Sequence, residues 1–116
     1  MNFIKKYQAF LENDRKLGKC LALQTKEKYV YIYRACKKTE NEFHDMDYVT
    51  LSKKFAIGHA ESNHAVNEEP YHVIKVFVKT SEVYDAYNPG EYFYHGPDIA
   101  GKEFYVSLGP DEYEVD

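Results

Sequence analysis

Four polar residues have the type and the order to serve one site. They are Arg34, expected near the end of a strand in the run "YVYIYRAC", Thr50 and Ser52 in "YVTLS", and Glu91, opening a strand after the turn "NPG". A guanidinium offers a planar fork to paired anionic oxygens, and a hydroxyl at a strand-to-helix junction can line a cleft or cap the helix. Each also has a plain structural account: an ion pair for Arg34, a cap for Ser52, an exposed strand edge for Glu91. The histidines offer less. His59, Glu61 and His64 lie close together, yet a helical metal pair uses positions i and i+4, and five residues turn the second ring round the helix. His44, His72 and His95 have no ligand partners at recognised spacings, so no metal site is expected. Cys20 and Cys36 lack CxxC spacing and read as small buried side chains. The chain has no glycine-rich phosphate loop and no GxSxG elbow.

The elements that must position these residues follow from periodicity. Phe3, Ile4, Tyr7, Phe10 and Leu11 recur at helical spacing after Asn2, which predicts a helix over about residues 3–16 stopped by Gly18. The runs "CLALQ" and "KYVYIYRAC", separated by "TKEK", read as a hairpin or as consecutive strands. In the second run Val30, Ile32 and Arg34 share one face, and Tyr29, Tyr31, Tyr33 and Ala35 the other. "KKTENEFHDMD" reads as a loop. "YVTLS" then extends as a short strand into a helix over "SKKFAIGHAESNHA" with Ser52 as N-cap, which would turn Leu51, Phe55 and Ala60 inward. Residues 71–79, "YHVIKVFVK", are apolar enough for a central strand covered on both faces. "EYFYH" and "KEFYVSL" add strands around the turn-rich "GPDIAG", and the acidic end "DEYEVD" is expected to fray. The expectation is one α+β domain over 1–116, with mostly antiparallel sheets, an N-terminal helix and a central helix.

The ordered motifs "YIYRA", "YVTLS" and "PGEYFYHG", followed by "FYV", resemble the arginine, serine and glutamate pattern of ADP-ribosyltransferases of the toxin and ectoenzyme type. The resemblance spans roughly residues 29–106 and implies an ADP-ribosyltransferase-like fold in a minimal version, with NAD as substrate. Arg34 would hold the pyrophosphate, Ser52 would support the nicotinamide pocket and orient the carboxylate, and Glu91 would bind the ribose and stabilise the oxocarbenium-like cation as nicotinamide leaves. Thr50 would match the first hydroxyl of the serine motif. Tyr48 and Tyr92 are the nearest rings to stack on nicotinamide. Thr50 stands where the family usually carries serine, and sixteen residues separate it from Arg34, a short interval for the family. Pro89 stands two residues before Glu91, where arginine-modifying members carry Glu or Gln, which points away from arginine as acceptor. Glu103, opening the strand in "GKEFYV", is a second candidate carboxylate.

Composition sets the remaining bounds. The chain has 116 residues, 44% of them hydrophobic, with twelve Tyr, seven Phe and no Trp. Such a length can bury one core without staples, and such a composition is neither disordered nor fibrous. No stretch is long enough for a signal-peptide core or a membrane span, so a cytoplasmic location is expected. Residues 1–40 carry ten Lys or Arg against four Asp or Glu, and residues 41–116 carry five against fifteen, giving +6 and −10. No Lys or Arg run is dense enough to argue for nucleic acid. The first reading is therefore a small ADP-ribosyltransferase-like enzyme acting on a macromolecule, a protein by preference, of the kind a phage or mobile element would use against a host factor. A second is a non-catalytic protein-binding inhibitor with an acidic, tyrosine-bearing surface. A third is a nucleotide-binding module that keeps Arg34 without transfer.

Overall fold

A computed structural model describes residues 17–109. The expected helix over 3–16 and the acidic end lie outside the described residues. Two long strands, β1 (Tyr29–Lys37) and β4 (Tyr71–Lys79), pair antiparallel over nine residues, from Tyr29 opposite Lys79 to Lys37 opposite Tyr71. β8 (Lys102–Val106) adds to the other side of β4, giving the order β1-β4-β8 with a bulge at Val73 and Ile74. A second sheet has the order β3-β6-β5, from Tyr48–Val49, Tyr92–Tyr94 and Val83–Asp85. A two-stranded ladder joins β2 (Glu42–Phe43) to β7 (Ile99–Ala100). The helix α1 (Lys53–Asn67) completes an α+β fold in which every strand pair is antiparallel.

Strand alternation sends the two faces of β1 to two different cores. Ile32 and Cys36 pack with Leu21, Phe43, Val49, Ile74, Val78, Val83 and Tyr94 beneath the second set of strands. Tyr33 faces the helix and packs with Ala56, Ala60, Tyr71 and Val73. The layers are helix, three-stranded sheet, and the strands β2, β3, β5, β6 and β7.

Three expectations change. "CLALQ" is not a strand: Cys20 makes a single bridge to Tyr84, and Leu21–Leu23 form a 3-10 turn. A strand would point Leu21 and Leu23 the same way, whereas the tighter turn buries Leu21 and leaves Leu23 74% exposed. The loop "KKTENEFHDMD" contains β2, which drives Phe43 into the core. β4 is central, but only its first half is covered on both faces; Phe77 is 53% exposed. Ser52 caps α1 as expected, its Oγ accepting the Phe55 N–H at 3.1 Å.

One carboxylate ties the helix to the end of the described chain. Glu61, buried on α1, accepts hydrogen bonds from the Tyr105 hydroxyl and from the backbone amides of Leu108 at 2.8 Å and Gly109 at 3.0 Å. Beside it, the His64 ring meets the Ser107 hydroxyl at 2.6 Å, and that hydroxyl accepts the Tyr71 N–H at 2.8 Å.

Candidate functional site

β1 is an edge strand of its sheet, and a single antiparallel bridge between Tyr33 and Thr50 brings the β3 segment alongside it. Two backbone hydrogen bonds, of 2.9 and 3.0 Å, make that bridge. The chain turns into α1 immediately afterwards, so the first turns of the helix close over the seam. The result is a cleft of about 270 Å³ lined by Tyr33, Arg34, Asp47, Tyr48, Thr50, Phe55, His59 and Glu91, with Ala35, Val49 and Ala56 in its wall. Four residues singled out in the sequence, Arg34, Tyr48, Thr50 and Glu91, thus converge from separate segments.

The Arg34 guanidinium is already engaged. Its Nη2 donates to Glu40 Oε1 at 3.1 Å, its Nη1 to the Glu42 carbonyl at 3.1 Å, and its Nε faces Asp47 Oδ2 at 3.5 Å. Asp47 is itself held by the His44 amide at 2.7 Å. The Glu40 carboxylate is about half exposed while the Arg34 side chain is largely buried, so Glu40 is the partner that an incoming ligand anion can displace. Glu91 follows the turn in which Gly90 takes a φ of +84°, a conformation that favours glycine. The Asn88 amide donates to Glu91 Oε1 at 3.2 Å. Tyr48 is exposed at the cleft and lies against Phe93, ring centroids 4.7 Å apart. Thr50 is buried, and its Oγ1 accepts the Ser52 N–H at 3.1 Å. The Phe55 and His59 rings, one helical turn apart, lie 4.6 Å from each other on the helix side.

Ser52 and Tyr92 are not among the cleft residues. Ser52 points its oxygen at the helix terminus, because a free amide in the first turn is the nearest donor. Tyr92 lines a neighbouring hollow with Tyr87, Asn88, Pro89 and Gly90, which shares Glu91 with the cleft. Glu103 also lies away from the cleft: it accepts from Lys38 Nζ at 2.9 Å and contacts His72 Nδ1 at 2.7 Å. Those bonds, Lys38 first, hold its carboxyl below the usual range. Asp47, Phe55 and His59 were not singled out for the site. Only the pair Phe55 and His59, at i and i+4 on one helix face, carried a local signal.

Two other groupings resemble chemistry without supporting it. Cys36, His72 and Glu103 lie in the order of a nucleophile, a base and an orienting acid. However, His72 Nε2 goes to the Glu40 carbonyl at 2.6 Å, and the Cys36 thiol donates to that same carbonyl at 3.5 Å. Burial pushes the thiol up to about 11, which keeps it protonated. Glu42, His44 and Asp98 place ligand atoms within 4.8 Å of one another, all exposed. The hydrogen bond that its ring donates to Asp98 raises His44 above its ordinary range, which favours the protonated ring over a metal-binding one.

No protein-family model, curated protein or solved structure matches the chain. Among the described residues no helix is long and apolar enough to cross a membrane.

Proposed function

We propose that the cleft binds NAD and that the chain is a minimal ADP-ribosyltransferase-like enzyme acting on a macromolecular target, a protein. The observation that carries the reading is the convergence of Arg34, Tyr48, Thr50 and Glu91 on one cleft. At about 270 Å³ the cleft lies just below the usual ligand-pocket range of about 300–1,000 Å³, which suits the nicotinamide-ribose end of the dinucleotide rather than the whole. Arg34 exchanges Glu40 for the pyrophosphate. Tyr48 and Phe55 flank the nicotinamide ring. As the bond between ribose C1′ and the nicotinamide nitrogen breaks, its electron pair leaves with nicotinamide. Glu91 stabilises the positive charge left on the ribose until a nucleophile of the target bonds to C1′ and releases its proton. Ser52 acts through the helix cap alone.

The pairing of Arg34 with Glu40 and Asp47 favours a second reading, a non-catalytic inhibitor whose acidic, tyrosine-bearing surface binds a protein. A nucleotide-binding module without transfer lies between the two. Equilibrium dialysis with labelled NAD separates the inhibitor from the two NAD-binding readings, and nicotinamide release then separates the enzyme from the module. The enzyme reading expects saturable binding weakened at least tenfold by Arg34→Ala, with Ser52→Ala close to wild type, and an absence of binding refutes it.

A further inference from the structure

The three-stranded sheet has an aromatic, basic face that the helix covers only in part. Strand register places Tyr29, Tyr31, Tyr33, Ala35 and Lys37 on one side of β1, opposite Lys79, Phe77, Lys75, Val73 and Tyr71 of β4. β8 contributes Lys102, opposite Lys75, and Phe104, whose ring meets Tyr33 edge-on. α1 packs over Tyr33, Tyr71 and Val73. The other half is open, with Tyr29 49%, Tyr31 44% and Phe77 53% exposed. Its rings form one surface: Phe77 lies 5.5 Å from Tyr29, stacked, and 4.7 Å from Tyr31. Lys75 Nζ sits 4.9 Å over the Tyr31 ring. Lys79 and Lys102 are exposed beside them, and no position on this face is Asp or Glu. Among the described residues no ion pair involves Lys75, Lys79 or Lys102.

We propose that this face binds single-stranded nucleic acid, with bases stacked on Tyr29, Tyr31 and Phe77 and phosphates on Lys75, Lys79 and Lys102. Every base presents a π-face, so three adjoining rings form a sequence-tolerant platform, and the flanking ammonium groups neutralise the backbone. The charge pattern selects for a polyanion even though the whole chain carries −4. Lys75 and Lys79 share one face of β4 by alternation, and the register of β4 and β8 brings Lys102 beside Lys75. The platform adjoins the cleft at Tyr33, whose ring lies 6.5 Å from Tyr31, but the proposal does not depend on the cleft's chemistry.

Fluorescence anisotropy with labelled oligothymidylate and oligouridylate of about twelve nucleotides tests it, beside a duplex of equal length and a labelled acidic Glu-Tyr copolymer. The single strands are expected to bind in preference to the duplex. Phe77→Ala should weaken them by about 5- to 150-fold and Phe77→Tyr should restore them. Replacing Lys75, Lys79 and Lys102 by Gln should flatten the salt dependence by a slope of about 2. Phe77, Lys79 and Lys102 are exposed and Lys75 is half-buried, so circular dichroism should show each variant folded. The proposal is overturned if neither oligonucleotide binds at low salt, if the folded variants bind like wild type, or if the acidic copolymer binds and the oligonucleotides do not.

Discussion

Removing the Glu61 carboxylate should detach the end of the described chain from α1. Glu61→Ala removes the carboxylate that the Tyr105 hydroxyl contacts and leaves the Leu108 and Gly109 amides without their acceptor. An amide left unpaired on burial costs about 1–3 kcal/mol and a lost hydrogen bond to a charged group about 1.5–3 kcal/mol, so losing the carboxylate under the Leu108 and Gly109 amides should cost about 3–5 kcal/mol in all. That is a large share of the roughly 5–15 kcal/mol that holds a domain. At about 4 °C per kcal/mol, the melting temperature should fall by about 12–20 °C at pH 7. Glu61→Gln keeps one oxygen but turns an amide group on a backbone N–H, and should cost about 1–3 kcal/mol. The pH profile adds a sign. Burial, the largest effect, raises the Glu61 carboxyl, but Tyr105, the two amides and His64 outweigh it and hold the group below its ordinary value. Its contribution is therefore complete above the unfolded carboxyl's value, about 4.3, and is lost as pH falls through the lower folded value. Thermal unfolding followed by circular dichroism between pH 7 and pH 3 should show a shallower acid limb for Glu61→Gln. A loss below about 1 kcal/mol for Glu61→Ala, or an unchanged acid limb in Glu61→Gln, would show that the carboxylate does not anchor this end of the described chain.

Ser52→Ala should cost about 1 kcal/mol through the lost cap on Phe55, and Ser52→Asp should recover most of it in the same melting assay. At Gly101 a Cβ would come within 2.7 Å of Phe43 Cε1 and 3.0 Å of Ile74, so Gly101→Ala should cost about 1–3 kcal/mol by overpacking, read by urea unfolding. With its thiol near 11, Cys36 should be about one part in a thousand thiolate at pH 8. Mass spectrometry after iodoacetamide should find it labelled only on unfolding, and rapid labelling of the native chain would contradict its burial.

The long elements were legible because periodicity extended over enough residues. β1 showed its two faces in alternating Tyr and aliphatic residues, β4 its central place in continuous apolar content, and α1 its start in Ser52. The two-residue strands β2 and β7 were not legible, since Phe43 owes its conformation to pairing with Ile99 far along the chain. Leu21 and Leu23 misled because two apolar residues spaced by one fit a strand and a tight turn alike. At the cleft, the motifs located Arg34, Tyr48, Thr50 and Glu91. Ser52 differed because a cap and a pocket hydroxyl look the same in sequence. Asp47 and His59 reach the cleft only through the bridge between Tyr33 and Thr50, a tertiary pairing that no local spacing announces.

The most direct test is nicotinamide release from NAD by the wild-type chain, Arg34→Ala and Glu91→Gln, each measured with a cell lysate as acceptor source. Release by the wild type is expected, with a loss of about a hundredfold or more in Glu91→Gln, a comparable loss in Arg34→Ala, and native melting for Glu91→Gln. Absence of release by the wild type with acceptor supplied, or a wild-type rate in Glu91→Gln, would contradict the enzyme reading.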